Sequence, residues 1–124
     1  MQNDFVIVGM AVPCFSTAIG VADRSIIPDH QMTSSTYYSP FHPYIGRLNL
    51  ARSGWCAQSG SGTQDWLKVD LGRTFQICGV ATQGLDHNVY DAWVKDFKIA
   101  YSNDGGGWTT YRYPSGTETV RRYS

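Results

Sequence analysis

An aromatic segment, residues 35–45, offers the side chains best suited to binding in this sequence of 124 residues. Pro40 and Pro43 restrict its backbone. Aromatic rings on a stiff loop give a large contact area at low entropic cost. We therefore predict that these rings contact a ligand; the alternative is that they pack against the end of the scaffold. The candidates are Tyr37, Tyr38, Phe41, His42 and Tyr44.

A second segment, residues 85–91, is rich in hydrogen-bonding side chains. Its candidate residues are Asp86, His87, Asn88 and Tyr90. The tyrosine is able to stack on the face of a sugar, and Arg47 adds a further donor. We predict oriented hydrogen bonds to a carbohydrate here; the alternative is a solvated turn. The small polar residues 57–63 are interpreted as a flexible spacer.

Signatures of catalysis are absent from the sequence. It contains no G-x-S-x-G elbow, no P-loop and no H-E-x-x-H motif, and no pair of carboxylates stands out. We predict that the protein is not an enzyme and needs no cofactor. No C-x-x-C or D-x-D-x-D-G spacing indicates a metal site. A calcium site built from backbone carbonyl oxygens would leave no such pattern, so a structural calcium ion stays open.

The balance of charges argues against partners that are bound through a broad electrostatic field. Ten basic residues offset ten acidic ones, so no broad field attracts nucleic acid or an anionic membrane. Membrane binding would have to come from inserted apolar side chains. The length and the 42% hydrophobic content fit one domain with its own core.

Short strands separated by turns must position both segments. Residues 64–71 and 94–102 alternate between apolar and polar side chains. Residues 77–83 are more uniformly apolar, which is typical of a strand buried on both faces, and Gly79 within them suggests a bulge or a close backbone approach. The turn at 103–107 predicts a hairpin with 108–113. These features favour an antiparallel sandwich or barrel. We expect one core that contains Leu67, Val69, Leu71, Ile77, Val80, Phe97, Ile99 and Trp108, and structural roles for all four tryptophans.

Several motifs in a fixed order resemble the discoidin domain, also called the coagulation factor V/VIII type C domain. They begin at Ile27 (IPDHQMTSS), Arg47 (RLN), Gly54 (GW), Trp66 (WLKVDL), Gly79 (GVATQG), Trp93 (WVK) and Tyr101 (YSNDG). The resemblance implies an all-β, jelly-roll-like fold. It also implies that 35–45 and 85–91 are ligand-binding loops at one end of the barrel, with no catalysis.

The sequence departs from that family at its end. Family members continue beyond the position of Ser124 with further strands and a closing cysteine, so we expect a C-terminally incomplete domain over 14–124 that is prone to self-association. Residues 1–13 are interpreted as an N-terminal extension or a leader remnant. The resemblance implies that the partners of Cys14 and Cys56 are missing, and Cys78 is expected to be a buried free thiol.

These inferences lead to one functional hypothesis and its alternatives. We predict an extracellular or secreted adhesion module, lectin-like, that binds carbohydrate on glycoproteins or cell surfaces. The first alternative is a phospholipid membrane, contacted through Tyr37, Tyr38 and Phe41. The second is a protein ligand such as collagen or a receptor, and the third is a purely structural domain.

Overall fold

A computed structural model describes residues 4–9, 18–58, 65–86 and 91–121 of the chain. Regular structure in these residues consists of short β-strands and two 3-10 turns, without an α-helix. The all-β prediction is therefore confirmed. The chain divides into two compact units, Met1–Trp93 and Val94–Ser124.

The first unit contains three antiparallel strand pairs in its described residues. Its strands are β1 (Asp4–Gly9), β2 (Met32–Ser34), β3 (Leu67–Val69), β4 (Ile77–Gln83), β5 (Leu85–Asp86) and β6 (Asp91–Ala92). Strand β1 pairs with β4, β2 with β3, and β5 with β6. The 3-10 turns span Asp29–Gln31 and Pro43–Ile45.

A bulge interrupts the β1–β4 ladder next to Gly79. Val8 pairs with Gly79, but Gly9 pairs with Ile77, so Cys78 is the extra residue on β4. The predicted strand at 77–83 and its irregularity near the glycine are confirmed. Its residues are only half-buried or exposed, however, so the strand is not buried on both faces as its composition suggested.

The β2–β3 pair has one inner and one outer face. Met32 is opposite Val69 on the inner face, while Thr33 is opposite Lys68 on the outer face. The core on the inner side consists of Val21, Ile27 and Met32, with Tyr44, Leu48, Val69 and Leu71 packed against it. The alternation predicted for 64–71 therefore agrees with the register of this pair.

The predicted core was wrong in its main members. None of the eight predicted residues is fully buried, and Ile77 and Trp108 are 39% and 49% exposed. Leu71, Ile99 and Trp108 lie outside the strands, and the strands that carry the other five are only three to seven residues long. The turn-rich segment before β2 instead supplies Val21 and Ile27, which fill the centre of the first unit.

Two of the tryptophans differ from the prediction that all four have structural roles. Trp55 is 6% exposed and confirms it, and its indole N–H donates to the carbonyl of Thr36 at 2.9 Å. Trp66 and Trp108 contradict it, since they are 48% and 49% exposed.

The cysteines require a second correction. Cys78 takes part in a disulfide, so its prediction as a free thiol was wrong. Cys56 is a buried free thiol. Cys78 is the bulged residue of the β1–β4 ladder; the sequence indicated an irregularity near Gly79 but gave no sign that the neighbouring cysteine is in a disulfide. Cys14 lies outside the described residues.

The second unit is built around the predicted hairpin. Its strands are β7 (Asp96–Lys98), β8 (Ala100–Tyr101), β9 (Thr109–Thr110) and β10 (Thr119–Arg121). Strand β8 pairs with β9 across the glycine turn, and β7 pairs with β10. In the turn, the Asp104 carboxylate accepts the N–H groups of Gly106 and Gly107 at 2.8 and 3.0 Å.

Candidate functional site

The aromatic segment is fastened to the chain near Cys56. The N–H of Tyr38 donates to the carbonyl of Cys56 at 2.7 Å, and the N–H of Cys56 donates to the carbonyl of Phe41 at 3.3 Å. Within the segment, the N–H of Phe41 donates to the carbonyl of Tyr38 at 2.7 Å, closing a turn. The backbone that carries the two tyrosines is therefore held at both sides of the turn.

Three rings of the segment contact one another in a row. The centroids of Tyr37 and His42 are 4.4 Å apart with the ring planes tilted by 37°, whereas His42 and Tyr44 are stacked, with centroids 5.0 Å apart and planes 14° apart. Tyr44 packs against the core, so this row of rings runs from the core to the surface. At its outer end Tyr37 is 44% exposed, and beside it Tyr38 is 58% exposed, while Phe41 is half-buried.

A shallow open groove lies along this segment. Its volume is about 710 Å³, and it is lined by Ser34, Ser35, Thr36, Tyr37, Tyr38, Ser39 and Gln58. Two of the hydroxyls, those of Ser35 and Thr36, donate to Asp65 Oδ1 at 2.8 and 2.7 Å. The N–H of Gln58 donates to the hydroxyl of Thr36 at 3.1 Å. The groove thus combines exposed phenol rings with a preordered set of polar groups.

Arg47 has a different place from the one predicted. It is 2% exposed, and its guanidinium donates to the carbonyls of Tyr44 and Val21 and to the carboxylate of Asp29. Because these protein acceptors occupy Nε, Nη1 and Nη2, the side chain serves packing and does not face solvent. We therefore remove Arg47 from the candidate surface.

The second predicted loop is described only at its start. Asp86 is the last residue of β5 and pairs with Asp91 of β6. His87, Asn88 and Tyr90 lie outside the described residues, as do residues 59–64. The convergence of these loops on the aromatic segment stays a prediction.

The polar groups of the groove were missed by the sequence analysis. Residues 34–36 form a run of hydroxyl side chains directly before the two tyrosines, and this run was a usable signal. Gln58 was assigned to a spacer, yet it lines the groove. Its contribution depends on the pairing of residues 38 and 56, which no local pattern indicates.

Metal ligands are not gathered in this part of the molecule. Across the described ranges, no group of three or more His, Cys, Asp or Glu side chains is placed to hold an ion. The same ranges contain no helix with the length and hydrophobicity of a membrane span. In the first unit, the groove and the exposed rings beside it are the surface features that suit the binding of a ligand.

The described chain consists of short antiparallel strands and turns, and one loop between them exposes aromatic side chains. The sequence model of the F5/8 type C domain family matches residues 31–123, well over half of the chain. The chain belongs to this family, the discoidin domains, and has their all-β sandwich fold. The resemblance found in the sequence motifs is thus confirmed. Domains of this family are extracellular binding modules, and membership alone does not fix the ligand.

The chain is similar to parts of several larger proteins. It is 35% identical to lactadherin of Mus musculus over 86% of its own length and 25% of the relative. It is 37% identical to neuropilin-1 of Gallus gallus over 77% of its length and 11% of the relative. It is 33% identical to coagulation factor VIII of Homo sapiens over 77% of its length and 4% of the relative. The chain therefore spans about a quarter or less of these relatives.

Proposed function

We propose that this chain is a carbohydrate-binding recognition module whose ligand occupies the groove beside Tyr37 and Tyr38. The observation that carries the proposal is the joint presence of two exposed phenol rings and a row of hydroxyl and amide groups along one groove. Sugars present apolar C–H faces and rings of hydroxyls, so both kinds of contact are needed at once.

The rigidity of the tyrosines supports the proposal. Tyr37 makes a tilted ring contact with His42, which stacks on Tyr44 against the core, so the Tyr37 ring is ordered before a ligand arrives. The Tyr38 backbone is fixed because its N–H donates a hydrogen bond to the carbonyl of Cys56. Preordered aromatic contacts lose little conformational entropy on binding, which favours affinity. Asp86, His87, Asn88 and Tyr90 remain proposed contributors from the second loop.

Phospholipid binding is the second candidate, and the exposure of Tyr37 and Tyr38 favours it as well. Tyrosine suits a membrane interface because its ring is apolar and its hydroxyl stays hydrated. Phe41, the most apolar ring of the segment, is however half-buried, and the net charge of zero supplies no attraction to anionic lipid. Carbohydrate is therefore the first candidate, and a protein ligand remains a third.

An extracellular location is part of the proposal. The disulfide at Cys78 supports it, since such bonds persist in oxidising compartments and are rare in the cytosol. Membership in a family of extracellular modules supports it independently.

A glycan array run beside a liposome co-sedimentation assay tests the proposal. We expect saturable binding to a subset of glycans and no sedimentation with vesicles of phosphatidylcholine alone or with one-fifth phosphatidylserine. Vesicle binding without glycan binding would replace carbohydrate with lipid as the ligand. Binding to neither would reject both candidates and direct the search to protein ligands.

A further inference from the structure

An exposed tryptophan lies directly beside the proposed groove. Trp66 is 48% exposed, although its indole is one of the largest apolar side chains in the first unit. Its backbone pairs with Ser35, because the N–H of Ser35 donates to the Trp66 carbonyl at 3.0 Å and the Trp66 N–H donates to the Ser35 hydroxyl at 3.0 Å. Ser35 itself lines the groove.

The strand register places Trp66 on the outer face. Met32 opposite Val69 marks the inner face, and Thr33 opposite Lys68 marks the outer face. Two positions further along each strand, Ser35 and Trp66 return to that outer face. Thr33, Ser35 and Trp66 are all exposed, so the outer face runs from the groove along β2 and β3.

The charges beside the indole offset one another. The ammonium of Lys68 lies 5.6 Å from the Trp66 ring centroid, within the range of a cation–π contact. The carboxylate of Asp65 accepts the hydroxyls of Ser35 and Thr36 on the groove side. One basic residue therefore contacts the ring and one acidic residue precedes it in the chain, so the charges near Trp66 offset one another and give no preference for a charged ligand.

From this arrangement we propose that Trp66 is a second stacking position and that the ligand is a neutral oligosaccharide of at least two sugar units. One unit occupies the groove at Tyr37 and Tyr38, and the next lies on the indole of Trp66. The two positions are neighbours because Trp66 is paired with Ser35, and Ser35 lines the same groove as Tyr37 and Tyr38. The inference depends on the proposed carbohydrate function and adds the length and charge of the ligand.

The test is the dependence of affinity on saccharide length. Wild-type protein is titrated with the neutral glycan that gives the strongest array signal and with its shorter fragments down to the monosaccharide. The same titrations are made with Trp66→Leu, with Trp66→Phe, which keeps a ring, and with Trp108→Leu. Trp108 is a matched control because it is 49% exposed and does not line the groove.

We expect wild type to gain about fivefold or more in affinity from the monosaccharide to the disaccharide. Trp66→Leu should lose this gain while it keeps monosaccharide binding, whereas Trp66→Phe and Trp108→Leu should retain most of it. Equal affinity for all lengths, a full gain in Trp66→Leu, or the strongest signal from charged glycans would overturn the inference alone. An array without any glycan signal would overturn it together with the proposed function. If Trp66→Leu fails to fold, the wild-type length series still tests the inference, because equal affinity for all saccharide lengths would overturn it.

Discussion

Arg47 and Asp29 form an ion pair in which one partner is buried and the other is half-exposed. Their Nη2 and Oδ1 atoms are 2.9 Å apart, and Arg47 is 2% exposed. The same guanidinium also binds the carbonyls of Val21 and Tyr44. It therefore ties the turn before β2, which supplies the core, to the segment that carries the proposed site.

Replacement of Arg47 should thus affect stability before it affects binding. In Arg47→Ala the buried carbonyl of Val21 and the partly buried carbonyl of Tyr44 lose their donor, and each unsatisfied buried group costs about 1–3 kcal/mol. We expect the free energy of unfolding in urea to fall by about 3 kcal/mol, or the variant to remain unfolded. Arg24→Ala is the control, since Arg24 contacts the same carboxylate at 3.3 Å but is exposed, and it should change stability by less than about 0.5 kcal/mol. Equal stability of both variants would refute the structural role of Arg47.

The two cysteines of the first unit that the structure describes should react differently with alkylating reagents. Cys56 is a buried free thiol, whereas Cys78 is in a disulfide. In the native protein we expect slow alkylation of Cys56, which becomes fast in denaturant, because burial shields the thiol. Cys78 should react only after reduction. Peptide mapping by mass spectrometry distinguishes the two sites, and alkylation of Cys78 in denaturant without reductant would disprove the bond.

The glycine turn of the second unit should respond to acid. Hydrogen bonds from the N–H groups of Gly107 and Gly106 and from the hydroxyl of Ser102 lower the pKa of Asp104 to about 2. Because the folded pKa lies below the ordinary value of 3.8, the carboxylate stabilises the hairpin fully above about pH 4 and loses this effect as the pH falls toward 2.

Amide NMR measures this titration directly. We expect the Gly106 and Gly107 resonances to move with a midpoint near pH 2, together with the indole N–H of Trp108, which donates to the Gly105 carbonyl. In Asp104→Asn, which keeps an acceptor oxygen but has no ionisable group, these resonances should not titrate. A midpoint at the ordinary aspartate value would show that the carboxylate is not held by the turn.

The sequence predicted the elements better than the contacts between them. Strand β4 and the hairpin at the glycine turn follow from local composition and turn chemistry, which act over a few residues. The core at Val21 and Ile27 was missed because it lies in turns, where no periodic pattern marks burial. The groove was found only in part. The tyrosines were identified, but Gln58 lines the groove, and Trp66 lies beside its residue Ser35, only through long-range pairing.

Arg47 illustrates the limit of assigning roles from residue type alone. An arginine among candidate loops suggests a ligand contact, yet its environment here is set by Val21, Asp29 and Tyr44. Val21 and Asp29 are far from Arg47 in the sequence, and Tyr44, which is close to it, lies in a segment without a periodic apolar pattern. Burial decides between the two roles, and burial is a property of the folded packing.

The central claim is that exposed tyrosines beside the groove bind a glycan, and one calorimetric titration tests it most directly. Wild type, Tyr38→Ala and Tyr101→Ala are titrated with the glycan that gives the strongest array signal. Tyr38 and Tyr101 are 58% and 51% exposed, so neither substitution should shift the free energy of unfolding by more than about 0.5 kcal/mol. We expect Tyr38→Ala to weaken binding about tenfold, as for an aromatic residue at the centre of an interface, and Tyr101→Ala to bind like wild type. Unchanged affinity in Tyr38→Ala, or no saturable binding by wild type, would contradict the claim.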